Sequence, residues 1–213
     1  MDTTLLIPIL LFSIIAHEVA HGYIAYRCGD PTAYYQGRLT LNPLRHIDPV
    51  GTIILPTMLL ITNTPFLIGW AKPVPVNPYN LRNGDRDHLL VSIAGVAANL
   101  CLALLCTIVY GITINLFGSL HGNDAVVLLF NYGIRINVML AVFNIMPIPP
   151  LDGSWVLYHL LPKPFAAIYR QFFPFGFLIL IILLVTNILQ LMILPVHNFI
   201  IGLLQYVLQT VVL

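Results

Sequence analysis

Glu18 is the only glutamate in the 213-residue chain, and it lies between two histidines in His17-Glu18-Val19-Ala20-His21. On a helix, positions i, i+1 and i+4 share one face, so both imidazoles can hold one metal ion with the carboxylate beside it as a general base towards water. Such a helix face points to a zinc hydrolase. With seven histidines and one glutamate in the composition, chance produces the pattern on the order of 0.001 times. The bland alternative is a pair of histidines packed between helices beside a neutral, hydrogen-bonded Glu18. In an apolar run that alternative is expensive, because three ionisable groups within five residues are costly in lipid without a partner.

The run is apolar, as is most of the chain. Hydrophobic residues make up 59%, charged residues 8%, and the mean hydropathy is +0.91, whereas soluble domains carry about a quarter charged residues. A polytopic, all-α membrane protein is expected. The net charge of +1 and the lack of a Lys/Arg cluster give no footing for nucleic acid. Residues 1–27 have no basic start and contain the metal motif, so they read as a retained span and not a cleaved signal. Cys28, Cys101 and Cys106 lack metal spacing and read as packing residues.

Apolar stretches long enough to span a bilayer cover 4–27, 88–117, 124–150, 173–194 and 196–213. The segment 48–71 is also apolar, but Pro49, Gly51, Pro56, Pro65 and Gly69 interrupt it. Basic residues flank it on both sides, Arg27, Arg38 and Arg45 before and Lys72, Arg82 and Arg86 after. If positive loops stay inside, this segment enters and leaves on one side, as a re-entrant hairpin or two half-spans. Five to six transmembrane helices are therefore expected, with the N-terminus and the 117–124 loop outside and the 155–172 loop inside. One membrane domain over 1–213 follows, its core at 4–155 and an accessory helical pair at 173–213. Arg135 falls inside the 124–150 run. Either the span begins near Ile136 and Arg135 snorkels to the outer interface, or it meets an acidic partner within the membrane.

A catalytic zinc takes three protein ligands, so one more donor is needed. Asp2, Asp124, His121 and His197 are predicted on the face opposite the motif. Asp152 follows Asn144-Ile145-Met146-Pro147-Ile148-Pro149-Pro150-Leu151, where three prolines break a span as it reaches the inner side. Irregular backbone at that depth lines a polar cavity, which favours Asp152 as a ligand over the residue of an ordinary turn. His46 and Asp48 allow a second metal, but bracing of the loop beside Pro43 and Pro49 is the better reading.

Together, His17-Glu18-x-x-His21 and Asn144-x-x-Pro147-x-Pro149-x-x-Asp152-Gly153 resemble the site-2 protease family of intramembrane zinc metalloproteases, in its small prokaryotic form without PDZ or CBS domain. Further stretches resemble it too: Gly37-Arg38-Leu39-Thr40-Leu41-Asn42-Pro43 with His46-Ile47-Asp48-Pro49, Gly69 to Asn77, and Gly95-Val96-Ala97-Ala98-Asn99. Many relatives have proline where Val96 stands. The resemblance covers about Ile14 to Trp155. It implies one zinc ion held by His17, His21 and Asp152, with Glu18 as the base and Asn99 and Asn144 beside the bound substrate, holding its backbone or the oxyanion. For both asparagines, hydrogen bonding between helices is an equal alternative. It also implies that Gly69 to Asn77 pairs with unwound substrate, along one edge at most because of its prolines.

The expected function is hydrolysis of peptide bonds within transmembrane segments of other membrane proteins, in a prokaryotic cell membrane and near the cytoplasmic side. The alternative is a non-proteolytic zinc protein that holds membrane clients, against which an intact Glu18 argues. A prenyl-processing protease would need a glutamate ligand that this chain lacks, and a zinc transporter would need ligands in the outer half of the spans.

Overall fold

A computed structural model describes residues 3–62, 69–118 and 125–212, with no strand among them. Five of its helices are long and apolar enough to cross a membrane: Thr4–Arg27, Gly84–Phe117, Ala125–Asn144, Lys163–Val185 and Ile188–Val212. The protein is an integral membrane protein. In chain order the helices are α1 (Thr3–Arg27), α2 (Thr32–Tyr35), α3 (Leu55–Ile61), α4 (Gly84–Phe117), α5 (Ala125–Asn144), α6 (Asp152–Leu160), α7 (Lys163–Arg170), α8 (Gly176–Val185) and α9 (Ile188–Val212).

Helix α4 is the axis of the bundle, packing on α1, α5, α6 and α9. Its first turn carries Asp85 and Asp87, charges that suit the positive end of a helix dipole. The Asp87 carboxylate also accepts the Asn83 backbone N–H at 2.8 Å. Deeper in, α1, α4 and α5 are tied by amides. Asn99 Nδ2 donates to Ser13 O at 3.2 Å and to Asn137 Oδ1 at 2.8 Å, and Asn137 Nδ2 donates to Ser13 Oγ at 2.9 Å. Ser13, Asn99 and Asn137 are all buried, and lipid offers such groups no other partner. The apolar core lies on the far side of α5, where Ala103, Val138 and Val142 meet Met146, Ile148 and Leu151 of the proline-rich loop and Leu189 and Ile193 of α9.

The 48–71 segment enters as a π-helical turn, Pro49–Ile54, continues into α3, and returns at Gly69. Its tip, 63–68, lies outside the described residues. Both arms are stitched together at the base. Trp70 N donates to Gly51 O at 3.1 Å, Thr52 Oγ1 to Trp70 O at 2.8 Å, and Lys72 N to His46 O at 2.8 Å. A chain that leaves and returns through one hydrogen-bonded stem is a hairpin. Asp48 caps its entry, accepting the N–H groups of Val50 and Gly51, while His46 pairs with Thr40 O. Both therefore brace the loop as the sequence suggested.

Three boundaries differ from the sequence expectation. Helix α5 stops at Asn144, not 150, and Met146 to Leu151 form turns. The 155–172 stretch contains two helices, α6 and α7, instead of a plain loop. The last two spans part at Asn187, which has φ 59°, while Pro195 lies inside α9. Asparagine tolerates left-handed backbone, and membrane helices tolerate proline because neighbouring groups satisfy the freed carbonyl.

The hairpin stem also depends on contact. A Cβ on Gly51 would stand 2.3 Å from the Trp70 ring, so Gly51→Val is expected to cost about 1–3 kcal/mol through overpacking. In a Trp155→Phe background Trp70 is the remaining tryptophan, and its fluorescence in micelles should shift to the red as the stem opens; an unchanged spectrum and melting curve would show that the stem is not held by this contact.

Candidate metal centre

His17 and His21 sit one turn apart on α1 and face α4 at Gly95. A Cβ there would lie 2.4 Å from His21 Nε2 and 2.5 Å from His17 Cε1, so only glycine lets the two helices approach with both rings between them. Each ring is oriented by its other nitrogen. His17 Nδ1 lies 2.6 Å from Asn99 Oδ1, and His21 Nδ1 lies 2.7 Å from Val91 O. Val91 O can only accept. The Asn99 amide is held the same way round, because its Nδ2 donates to Ser13 O and Asn137 Oδ1. Both Nδ1 atoms therefore carry the proton, and both Nε2 atoms present lone pairs.

Those lone pairs converge. The Nε2 atoms are 3.0 Å apart, and Asp152 Oδ2 is 3.0 Å from that of His17 and 3.2 Å from that of His21. With the rings in this tautomer, Asp152 Oδ2 is a buried oxygen without a hydrogen-bond donor. A proton on one Nε2 would satisfy one contact and leave the other lone pair facing the same oxygen. Two imidazoles and a carboxylate whose ligand atoms lie within 4.8 Å of one another are the donor set of a catalytic zinc site, so these residues fit that metal. Among the described residues no other group of His, Cys, Asp and Glu does so.

Asp152 reaches the centre because the chain doubles back after α5. Ile148 N donates to Met146 O and Leu151 N to Ile148 O, both in tight turns. Ser154 Oγ then donates to Leu151 O at 2.6 Å, and Tyr169 OH braces Pro147 O at 3.0 Å. At Gly153 a Cβ would meet Ile145 O at 2.0 Å, which explains the glycine next to the ligand position.

Glu18 is partly buried on the hairpin side of α1. Its Oε2 accepts the Val74 N–H at 2.8 Å, so the returning arm of the hairpin fixes the carboxylate. The arm lies close against α1, since a Cβ on Gly22 would meet Val74 Cγ1 at 2.5 Å. Two charged residues hold it there, neither of which the motif-based reading assigned to this task. Arg38, 6% exposed, donates from Nη2 to Lys72 O at 2.7 Å and to Pro73 O at 3.3 Å. Asp30, fully buried, accepts from Asn77 N at 2.6 Å, from Asn80 Nδ2 at 2.9 Å and from both Thr32 donors. Burial pushes the Asp30 carboxyl up, but these donors outweigh it and hold the group below its ordinary range. Asp30 lies in no motif, and Arg38 lies in the Gly37 to Pro43 stretch with no role read from it; burial reveals the task of both. Val74 N, Asn77 N and the Lys72 and Pro73 carbonyls are thus all engaged within the protein.

Of the two readings of Asn99, the contacts match hydrogen bonding between helices: its amide is fully buried and occupied by His17, Ser13 and Asn137, so it orients the His17 ring and joins helices. Asn144 turns its Nδ2 to Leu140 O of its own helix at 2.9 Å, with no bond to the centre. His88, His159 and Asp85 form a separate cluster, His88 Nδ1 lying 2.6 Å from His159 Nε2. Asp2, His121 and Asp124 lie outside the described residues.

Comparison with known proteins agrees with the chemistry of the donor set. The chain is 36% identical over 198 residues to "Putative zinc metalloprotease YwhC" of Bacillus subtilis, covering 91% of this chain and 85% of that protein. It is 33% identical over 181 residues to "Putative zinc metalloprotease Rip2" of Mycolicibacterium smegmatis, covering 83% of this chain and 64% of the relative. A Rip2 of Mycobacterium tuberculosis matches at 32% over 170 residues, with 75% and 62% covered. No family model and no solved structure matches the chain.

Because Asn99 sets the tautomer of His17, Asn99→Leu is expected to weaken zinc binding about 10- to 100-fold. Asn99→Asp, which keeps an acceptor, should retain more of it. Competition with a chromogenic chelator reads both; equal affinities for Asn99→Leu and the parent would remove Asn99 from this role.

Proposed function

This chain belongs to the zinc metalloprotease family of its Bacillus subtilis relative, and on that premise we propose that it is an intramembrane protease of the site-2 type. It cuts peptide bonds within or next to transmembrane segments of other membrane proteins. The observation that carries this reading is the position of the centre. His21 is six residues, about 9 Å, from the Arg27 end of α1, within a helix long and apolar enough to cross a membrane, and His17, His21 and Asp152 meet between α1, α4 and α6. By the positive-inside rule, the protein sits in a prokaryotic cell membrane with its N-terminus outside and the centre near the cytoplasmic face.

One zinc ion would be held by His17, His21 and Asp152. Bound there, it supplies a Lewis acid that polarises the scissile carbonyl and acidifies water. Glu18 takes a proton from the attacking water as the new C–O bond forms, and returns it to the amine nitrogen as the C–N bond breaks. The Val74 N–H holds one Glu18 oxygen throughout, which keeps the carboxylate aimed while the other exchanges the proton. His17 and His21 stay oriented through Asn99 and Val91. Because a helical substrate buries its carbonyls in its own hydrogen bonds, it unwinds locally before attack, and the free edge of the 69–77 arm receives the extended strand.

A zinc-binding protein that only holds membrane clients is the second reading. Glu18, fixed by a dedicated backbone donor beside the ligands, favours the protease, since binding alone has no use for a base.

The test is zinc content and cleavage of a transmembrane substrate by purified protein. Glu18→Gln is expected to keep zinc and lose about 10²- to 10⁴-fold in rate, whereas Asp152→Ala is expected to lose the zinc itself. Zinc without cleavage of any substrate would support the holding protein, and normal zinc in Asp152→Ala would displace the third ligand.

A further inference from the structure

Lys163–Val185 is long and apolar enough to cross a membrane; whether it does depends on where α9 starts. No Lys, Arg, Asp or Glu follows Arg170, so charge says nothing about either end of α9, and packing decides. Asn115, near the outer end of α4, donates from Nδ2 to Val211 O at 2.6 Å. One turn further in, a Cβ on Gly111 would meet Val211 and Leu208. Leu208, Leu204 and Ile201 share a cavity with Tyr110 and Thr107, and Ala103 joins Ile193 and Leu189 in the core. Residue numbers fall together along both helices, so α9 runs parallel to α4. Helix α4 starts at the basic inner flank of Arg82 and Arg86, so both run from inside to outside. Ile188 precedes Val211 by 23 residues, about 35 Å along the axis and more than the hydrocarbon core of about 30 Å. Helix α9 therefore begins on the inner side.

The preceding segment begins there too, and its parts are short. Helices α7 and α8 have eight and ten residues, about 12 and 15 Å, and a 3₁₀ turn, Phe173–Phe175, divides them. At the divide a Cβ on Gly176 would meet Pro149 O at 2.5 Å, so the elbow is seated on the proline-rich loop at the inner end of α5. Only 6% of this segment's most apolar stretch is buried, against 22% to 33% for the other four long helices. Its side chains face lipid.

Helix α7 has two faces. On one, Phe165, Ile168 and the following Phe172 are exposed, at spacings i, i+3 and i+7. On the other, Lys163, Arg170 and Gln171 line a cavity of about 630 Å³ with Tyr158, His159 and Asp85. Asp85 is 30 residues from Asn115 along α4, about 45 Å, which is the thickness of a bilayer with its headgroups. Its carboxylate lies 3.5 Å from His159 Nδ1, and among the described residues neither Lys163 nor Arg170 joins an ion pair. Two free cations beside one engaged carboxylate, at headgroup depth and backed by an apolar helix face, suit a lipid phosphate.

We propose that Lys163–Val185 enters and leaves on the inner side and lies in the inner leaflet, with Lys163 and Arg170 on the phosphates of anionic phospholipids. The proposal is independent of the protease reading. It leaves the Val212 end of α9 outside and anchors α6, the helix that begins at Asp152, to the inner membrane surface.

The experiment has a topological arm and a lipid arm, both on the full chain with Cys28, Cys101 and Cys106 replaced. Single cysteines are placed at Gln36→Cys, at Thr186→Cys and after Leu213, and cells are treated with a membrane-impermeant maleimide. The first two are expected to react only after lysis, and the third in intact cells. Should position 186 stay unreactive in lipid, the cysteine after Leu213 decides alone. In the second arm a bimane on Ala167→Cys, in nanodiscs, is quenched by phospholipids with a nitroxide near the headgroup. Phosphatidylglycerol is expected to be preferred over phosphatidylcholine about 5-fold or more in the parent and less than about 2-fold in Lys163→Gln/Arg170→Gln. Should that variant not fold, the two lipids compared on the parent decide alone. Labelling of Thr186→Cys in intact cells, protection of the cysteine after Leu213, equal quenching by both lipids, or release of the quenching lipid by inorganic phosphate would each overturn the proposal.

Discussion

The short hydrogen bond from His17 to Asn99 is the contact on which the rest of the bundle turns. In lipid, each buried polar group must find its partner inside the protein, and Asn99 meets that demand for three helices at once. Its oxygen orients the imidazole of His17, and its nitrogen reaches Ser13 on α1 and Asn137 on α5. One amide thus sets the spacing of α1, α4 and α5 and chooses which nitrogen of His17 is left for a metal. Gly95, one turn earlier on α4, provides the room for that contact.

Around this fixed pair of imidazoles, two irregular segments bring in the remaining groups. The 145–151 loop carries Asp152 inward, and the 69–77 arm carries the N–H that holds Glu18. Both are rich in proline, and a backbone without those donors leaves fewer polar groups to satisfy at membrane depth. What holds each in place differs. The first is packed into the apolar core through Met146, Ile148 and Leu151, whereas the second is pinned electrostatically by Arg38 and Asp30. A packed loop suits a ligand, which must not move. An arm held by a few hydrogen bonds can yield more readily than a packed loop.

Much of this was readable beforehand. His17, Glu18 and His21 declare themselves by spacing, and Asp152 by the prolines ahead of it and its depth. The five long apolar helices followed from hydropathy, and the hairpin from basic residues on both flanks of 48–71. Other features were not readable. Asn99 carries no mark that separates a ring-orienting amide from a substrate-binding one. Asp30 and Arg38 look like surface charges until their burial is known. Arg135 shows that a charge need not mark a helix end, since α5 begins ten residues before it, at Ala125.

The sequence by itself determined the chemistry and the medium: local spacing selects the helix face that bears the histidines, and composition requires a lipid solvent. Only the tertiary structure decided which lone pairs converge, which carboxylates are committed to bracing loops, and which way α9 runs. Those outcomes depend on residues far apart in the chain, such as His17 with Asn99 or Glu18 with Val74, and their meeting is set by helix packing that no local pattern encodes.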